Sequence, residues 1–312
     1  MRLHAFPYHH KDQSFDMEKP TRTLRRLLAA DVPVRAPGVV DCIGARIVAQ
    51  EGFEAIYMTG AGTTASRLGM PDVGLLTMSE MADNAQRIAQ ASGLPLIADA
   101  DTGYGGPLNV RRTVMTYERA GVSALHIEDQ SWPKRCGHLA GKTLIDTEDM
   151  VANIKAACDA RVDEDFVIIA RTDAIAVEGF EAAIERAQRY EQAGADVIFV
   201  EAPRDMDQLR TITTSLNVPA LYNMAASGKT PFLSVNQIGE LGFKLILYPN
   251  FMMLAAIPVM QKVLREIKAT GTVEHLVKDV ASFQDFFNLL GMQEVQELEA
   301  RYVRDDRRKV GY

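Results

Sequence analysis

The sequence predicts an α/β protein folded as a (β/α)8 TIM-type barrel. Three observations lead to this. Eight short apolar runs punctuate the chain without polar–apolar alternation, which suits strands buried on both faces in a parallel sheet. Helical patterns separate these runs, and AGV (120–122), AGAD (193–196) and LGF (241–243) each place a glycine where a helix ends before the next run. The length of 312 residues accommodates one barrel of roughly 250 residues with an extension. An open doubly wound sheet is the alternative architecture.

The elements follow in order. An N-terminal arm, residues 1–30, carries a helix at Pro20–Ala30. The expected strands are Gly38–Asp41, Ala55–Gly60, Pro95–Asp101, Ala124–Asp129, Phe166–Asp173, Val197–Ala202, Pro219–Met224 and Lys244–Pro249. The expected helices between them are Gly44–Glu51, Thr77–Ser92, Val110–Ala120, Thr147–Arg161, Phe180–Ala193, Asp205–Leu216 and Ser234–Leu241. Thr77 and Glu80 stand at capping-box spacing, which fixes the start of the second of these. No Gly/Ser-rich or low-complexity segment divides the chain, so residues 1–312 read as one domain. Residues 255–312 form a helical extension, with helices at Ala255–Lys268 and Glu274–Val303. Its apolar positions Leu276, Val280, Phe283, Phe286, Phe287 and Leu290 lie at helical spacing, expected to bury against a partner or the barrel wall.

Composition removes several function classes. Lys and Arg number 34 against 41 Asp and Glu, a formal net charge of −7, so a general nucleic-acid-binding surface is not expected. The three cysteines, Cys42, Cys136 and Cys158, form no CxxC pair, which argues against a disulfide framework or zinc ribbon and for a cytoplasmic chain. The N-terminus lacks the apolar core of a signal peptide. The longest apolar stretch, Leu245–Met260, is broken by Pro249, Asn250 and Pro258, so no membrane span is expected.

Barrel enzymes place their chemistry at the C-terminal ends of the strands. Those ends carry Asp41, Thr59, Asp99 with Asp101, Glu128 with Asp129, Arg171 with Asp173, Glu201 and Asn223. Carboxylates that converge without bases repel one another, so the set implies a bound cation, and oxygen donors suit Mg²⁺ or Mn²⁺. Asp99 and Asp101, two apart on one expected strand, would point the same way. The competing role for any one of these acids is to cap the helix that follows, and it does not account for the whole set. The loop after the fourth strand reads DQSWPKRCGHLAGK (129–142). A thiol at Cys136 beside Lys134, Arg135 and His138 is expected to be activated, and Gly137 and Gly141 suggest a loop able to move over the site. Cys42 and Cys158 read as inert. Gly60–Ala65 matches the GxGxxA dinucleotide fingerprint, but Glu80 begins a helix instead of ending a strand, so NAD binding is rejected. The glycines instead suit backbone N–H groups approaching an anionic substrate. Mid-strand His126 reads as a core group, and Phe251, Met252 and Met253 as pocket wall or core.

Together ADADTGYG, HIEDQ, KRCGH, VIIARTDA and VEA resemble the isocitrate lyase/phosphoenolpyruvate mutase superfamily, from about Asp31 to about Met260. KRCGH resembles its lyase branch, in which the cysteine is catalytic. The resemblance implies a barrel whose eighth helix is exchanged between subunits of a homotetramer. It implies Asp99 as the direct Mg²⁺ ligand, with Asp72, Asp101 and Glu128 holding its waters. Thr59, Gly60 and Ala61 would bind a substrate carboxylate, Arg171, Glu201 and Asn223 would complete the pocket, and Lys134, Cys136, Gly137 and His138 belong to the gating loop. The implied reaction is retro-aldol cleavage of a 2-hydroxy di- or tricarboxylate to a 2-oxo acid such as pyruvate and a carboxylate. In it Arg171 stabilises charge, Tyr57 is assigned as the base on the hydroxyl, and Cys136 protonates the carbanion. Two distal positions that would hold a third carboxylate are Ala225 and Leu254 here, which favours a substituted malate such as 2,3-dimethylmalate over 2-methylisocitrate, unless Ser227 or Lys229 compensates. Three alternatives stand beside this reading: an oxaloacetate hydrolase of the same superfamily, a Schiff-base aldolase using Lys134, and a non-catalytic barrel acting as a binding module.

Overall fold

The computed structural model describes residues 18–137, 141–227, 229–304 and 307. Eight strands, β1 (Val34–Val39), β2 (Ile56–Met58), β3 (Leu96–Asp99), β4 (Ala124–Glu128), β5 (Val167–Thr172), β6 (Val197–Val200), β7 (Leu221–Asn223) and β8 (Leu245–Tyr248), pair in parallel. Their order is β6-β5-β4-β3-β2-β1-β8-β7, and a parallel bridge from Ile198 to Ala220 joins β6 to the approach of β7. The expected barrel is therefore the observed one, and the open doubly wound sheet is excluded.

Seven of the eight expected strands contain an observed one. The first does not: β1 begins at Val34, four residues before the expected Gly38, because Arg35 and Pro37 interrupt the apolar run used to find it. Gly38 has a different purpose. A Cβ there would lie 2.0 Å from the Pro249 carbonyl oxygen, so only glycine lets the segment after β8 close against β1.

Side chains alternate across each strand. Ala36, Tyr57, Ile97, Ala124, Val167, Ile169, Val197, Phe199, Leu245 and Leu247 belong to one buried cluster, the filling of the barrel. Their neighbours Ile56, Leu96, Ala98, Leu125, Ile168, Ala170 and Ile198 belong to the other, packed beneath the helices. The first helix, α1 (Pro20–Leu28), buries Leu24, Leu27 and Leu28 with the interior cluster. Each such leucine stabilises by about 2 kcal/mol, whereas the partly exposed Arg25–Asp196 and Arg22–Asp165 pairs of the same helix add little.

Outer helices follow the strands: α2 (Cys42–Gln50), α3 (Gly60–Leu68), α4 (Met78–Ser92), α5 (Pro107–Arg119), α6 (Thr147–Ala160), α7 (Phe180–Gln192), α8 (Met206–Thr214) and α9 (Val235–Glu240). The capping box of α4 is formed as the spacing predicts, with Thr77 N donating to Glu80 Oε2 at 2.8 Å. Helix α3 was not expected. Its glycine-rich opening scores poorly for helix, but Thr59 caps it, accepting from Gly62 N at 3.3 Å. Glu80 is thus committed to its cap, and the GxGxxA match is a helix start.

After β8 the described residues form α10 (Phe251–Thr270), α11 (Phe283–Leu289) and α12 (Met292–Tyr302). Helix α10 starts four residues earlier than expected and runs through Pro258. None of the residues of these three helices is buried. Leu264 is 65% exposed and Phe283 76%. Among the described residues no helix is long and apolar enough to cross a membrane.

Candidate active site

The C-terminal ends of the strands surround a small cavity of about 50 Å³ that opens to solvent. It collects most of the predicted residues: Tyr57, Thr59, Ala61, Asp72, Asp99, Glu128, Lys134, Cys136, Gly137, Arg171, Glu201 and Asn223 all line it. Gly60 stands just behind, its N–H donating to Asp99 Oδ2 at 3.1 Å; a Cβ at Gly60 would lie 2.3 Å from that oxygen. Asp101 is also set back from the lining. His138 lies outside the described residues. Leu254 does not reach the cavity: it is 43% exposed on α10, while Ala225 is buried in the cavity wall. The difference follows from α10, which begins directly after β8 and buries none of its residues.

Asp99 ends β3, but Asp101 is already past the strand, in a left-handed turn with φ 49°. Strand alternation therefore does not align the two carboxylates, contrary to the sequence argument. The turn does, because Asp101 N donates to Asp99 Oδ1 at 2.9 Å.

The acids also do not converge without bases. Lys134 Nζ, almost fully buried, stands 2.7 Å from Asp72 Oδ1 and 2.6 Å from Asp101 Oδ1. Burial alone would depress this amine, but Asp101, Asp99, Glu128 and Asp72 outweigh it and hold the ammonium form. Arg171 lies 3.2 Å from Glu128, 2.9 Å from Asp173 and 3.1 Å from Glu201, with its guanidinium 4.9 Å from the Phe199 ring centre. Asn223 Nδ2 donates to Glu201 Oε2 at 3.1 Å.

Negative charge still predominates. Six buried acids, Asp72, Asp99, Asp101, Glu128, Asp173 and Glu201, face three buried cations, Lys134, Lys142 and Arg171. Burial pushes Asp101 up to about 7 despite Lys134, and pushes Glu128 well above the carboxylate range despite Arg171. Glu128 Oε1 is buried without a hydrogen bond. Among the described residues no three His, Cys, Asp or Glu side chains form a ready-made metal cage. An all-oxygen rim with surplus negative charge and an unshared carboxylate oxygen fits a hard divalent cation that keeps several waters, as Mg²⁺ does.

The floor of the site pairs Tyr57 with His126, which is more than a core group: the phenol oxygen lies 3.0 Å from Nε2, and that nitrogen lies 3.7 Å from Asp99 Oδ1. Burial, and then the Asp99 charge, push the Tyr57 phenol well up. Burial pushes the imidazole down to about 4 against the pull of Asp99. Both groups therefore rest neutral at pH 7.

The loop that bears Cys136 is anchored at several points. Gln130, buried at the end of β4, accepts from Arg135 N at 3.0 Å and donates to Arg135 O at 2.8 Å. Cys136 N donates to Asp72 O at 3.1 Å. Gly137 packs against Arg171 so closely that a Cβ would lie 2.1 Å from Nη2. The Lys134 ammonium is not the neutral amine that a Schiff base needs, so the geometry disfavours the aldolase alternative.

The sequence reading missed Lys142, Phe199 and Asn250. Thr59 Oγ1 donates to Asn250 Oδ1 at 3.0 Å, and Asn250 lines the cavity with Phe199 and Pro249. Asn250 directly follows the last expected strand, so its place at a strand end was the available signal. Phe199 is indistinguishable from core by its spacing.

Comparison with known proteins agrees with this geometry. A family described as phosphoenolpyruvate phosphomutase matches residues 24–268. A 2,3-dimethylmalate lyase of Eubacterium barkeri is 42% identical over 280 residues, covering 90% of this chain and 97% of the relative. A 2-methylisocitrate lyase of Aeropyrum pernix is 44% identical over 288 residues, covering 92% of each. Among solved structures, an oxaloacetate acetylhydrolase in complex with 3,3-difluorooxalacetate superposes with a TM-score of 0.86 at 38% identity, covering 90% of this chain and 96% of that one. With its whole barrel matched in both sequence and shape, this chain belongs to the phosphoenolpyruvate mutase/isocitrate lyase superfamily.

Proposed function

We propose that this protein is a divalent-metal-dependent carbon–carbon lyase that cleaves a 2-hydroxy dicarboxylate, a substituted malate, into a 2-oxo acid and a second carboxylate. One observation carries the reading. Cys136, Arg171 and the oxygen-donor rim of Asp99 and Glu128 line the same cavity, which unites a proton donor, a fixed cation and a metal-fitting donor set.

Asp99 and Glu128 would hold the metal, with Asp72 on the cavity wall and Asp101 behind it, both paired with Lys134. When bound, the cation would supply charge neutralisation and a lowered pKa for the substrate 2-hydroxyl. Tyr57 receives the hydroxyl proton as its own moves to His126 Nε2, and the imidazolium so formed, which burial opposes, stands 3.7 Å from Asp99 Oδ1. The C2–C3 bond then breaks. C2–O becomes a carbonyl, and the electron pair remains at C3, delocalised into its carboxylate. Arg171, fixed by three acids, opposes the developing charge without needing to reorganise. The thiol of Cys136 gives its proton to C3.

The cavity wall supports the substrate class. Ala61, Phe199, Ala225 and Pro249 suit a small apolar substituent, and Leu254 brings no cation to the site. A third carboxylate would be costly to bury there without a partner. The extension supports assembly: α10 occupies the place after β8 where a barrel carries its eighth helix, yet its apolar face is uncovered. A second copy of the chain covers it, in a homotetramer.

The test is a panel of 2,3-dimethylmalate, other 2-alkylmalates, 2-methylisocitrate, isocitrate and oxaloacetate, read by coupled 2-oxo acid detection with Mg²⁺ and with EDTA. The reading requires that substituted malates be cleaved fastest and that EDTA abolish turnover. Release of oxalate from oxaloacetate as the dominant activity would make the protein a hydrolase instead. No turnover of any member would favour the binding-module alternative.

A further inference from the structure

The loop that carries Cys136 rejoins the barrel at Lys142, a residue the reaction above does not use. Its side chain is only 2% exposed, with Nζ 2.7 Å from Asp173 Oδ1 and 2.5 Å from the Gly137 carbonyl oxygen. Asp173 is fully buried and already accepts two hydrogen bonds from Arg171, from Nε at 2.9 Å and Nη2 at 3.1 Å. A buried ammonium is costly to desolvate, and Asp173 has a cationic partner without it. What Lys142 alone adds is the link to Gly137. The contacts run from the Cys136–Gly137 segment through Lys142 and Asp173 to Arg171, and Gly137 packs directly on that same guanidinium. The carbonyl that follows the thiol-bearing residue and the cation that stabilises charge are thus held by one ammonium–carboxylate pair.

We infer that Lys142 is a positioning residue of this site: its ammonium fixes the Gly137 carbonyl, and with it the Cys136 thiol, relative to Arg171. The inference rests on the lyase reading for its effect on turnover and stands apart from it for the placement of the thiol. A proton donor displaced by about 1 Å loses about 100-fold in rate, and substrate binding, which uses other groups, is little affected.

The full-length protein is assayed with Mg²⁺ on whichever panel substrate it cleaves. Lys142→Met is expected to lower kcat about 100-fold with KM nearly unchanged, and Lys142→Arg, which keeps the charge, to recover much of the loss. Alkylation by iodoacetamide, followed by mass spectrometry, should speed up at Cys136 in Lys142→Met and stay constant at Cys42. Because Lys142→Met leaves Asp173 with one partner fewer, the double variant Lys142→Met/Asp173→Asn, which removes both charges, is measured beside it. A folded single or double variant with wild-type kcat and wild-type Cys136 alkylation overturns the inference. So does a rise in KM in place of a fall in kcat, or failure of both variants to fold, which assigns Lys142 a purely structural role. Should the wild type cleave no substrate, the lyase reading fails, and the alkylation rates alone decide the inference.

Discussion

Replacing Gly137 by alanine probes the most crowded contact of the site. The added Cβ would lie 2.1 Å from Arg171 Nη2 and 3.1 Å from Glu201 Oε2. Ordinary contact needs about 3.5 Å, so more than 1 Å must be found. Arg171 cannot supply it, because Glu128, Asp173 and Glu201 fix its guanidinium from several sides. The loop has to lift, carrying Cys136 with it and stretching the Lys142 bond to the Gly137 carbonyl. A displacement of about 1 Å at a reacting group corresponds to a loss of about 100-fold in rate, or about 2.7 kcal/mol of transition-state stabilisation. Steady-state kcat/KM on the preferred substrate measures this, and a thermal melt shows that the barrel persists. Gly137→Ala with kcat/KM within about threefold of wild type, a difference of only about 0.6 kcal/mol, would refute the argument that this loop must seat directly on Arg171.

Cys136→Ser is expected to lower kcat by a factor of about 10² to 10⁴ at similar KM, the span of a general acid; full turnover would sink its assignment as proton donor. Tyr190→Phe removes a donor 2.8 Å from Asp129 Oδ2, one of the bonds that satisfy this buried carboxylate between β4 and β5. Urea unfolding should show about 2 kcal/mol lost, and a change below about 0.5 kcal/mol would mean that Arg186 and Thr172 suffice. Light scattering after size exclusion should report a tetramer at micromolar concentration; a monomer would leave the apolar face of α10 to another role.

Much of the site was legible because barrels impose position on chemistry. Once β3 to β7 were located, the residues at or next to their C-terminal ends included Asp99, Glu128, Arg171, Glu201 and Asn223, and all five line one cavity. Lys142 escaped notice because nothing local distinguishes a lysine that returns to the interior from one in solvent. Asp101 stands behind the cavity lining, paired with Lys134, and a left-handed turn, not strand alternation, directs it there. Helix α3 was missed because intrinsic propensity penalises Gly60 and Gly62, while the Thr59 cap and packing against α4 override that penalty.

By itself the sequence determined the barrel, its strand-end carboxylates and the thiol loop. Apolar runs buried on both faces admit few architectures, and strand ends converge at one rim whatever the details of packing. The tertiary structure decided how the charges are paired. That Lys134 holds Asp72 and Asp101, that Arg171 is shared by three acids, and that Gly137 must lack a side chain to seat against it depend on distances between segments far apart in the chain. Electrostatic energy in a buried site is set by those distances and by exclusion of water, and no local pattern of residues encodes either.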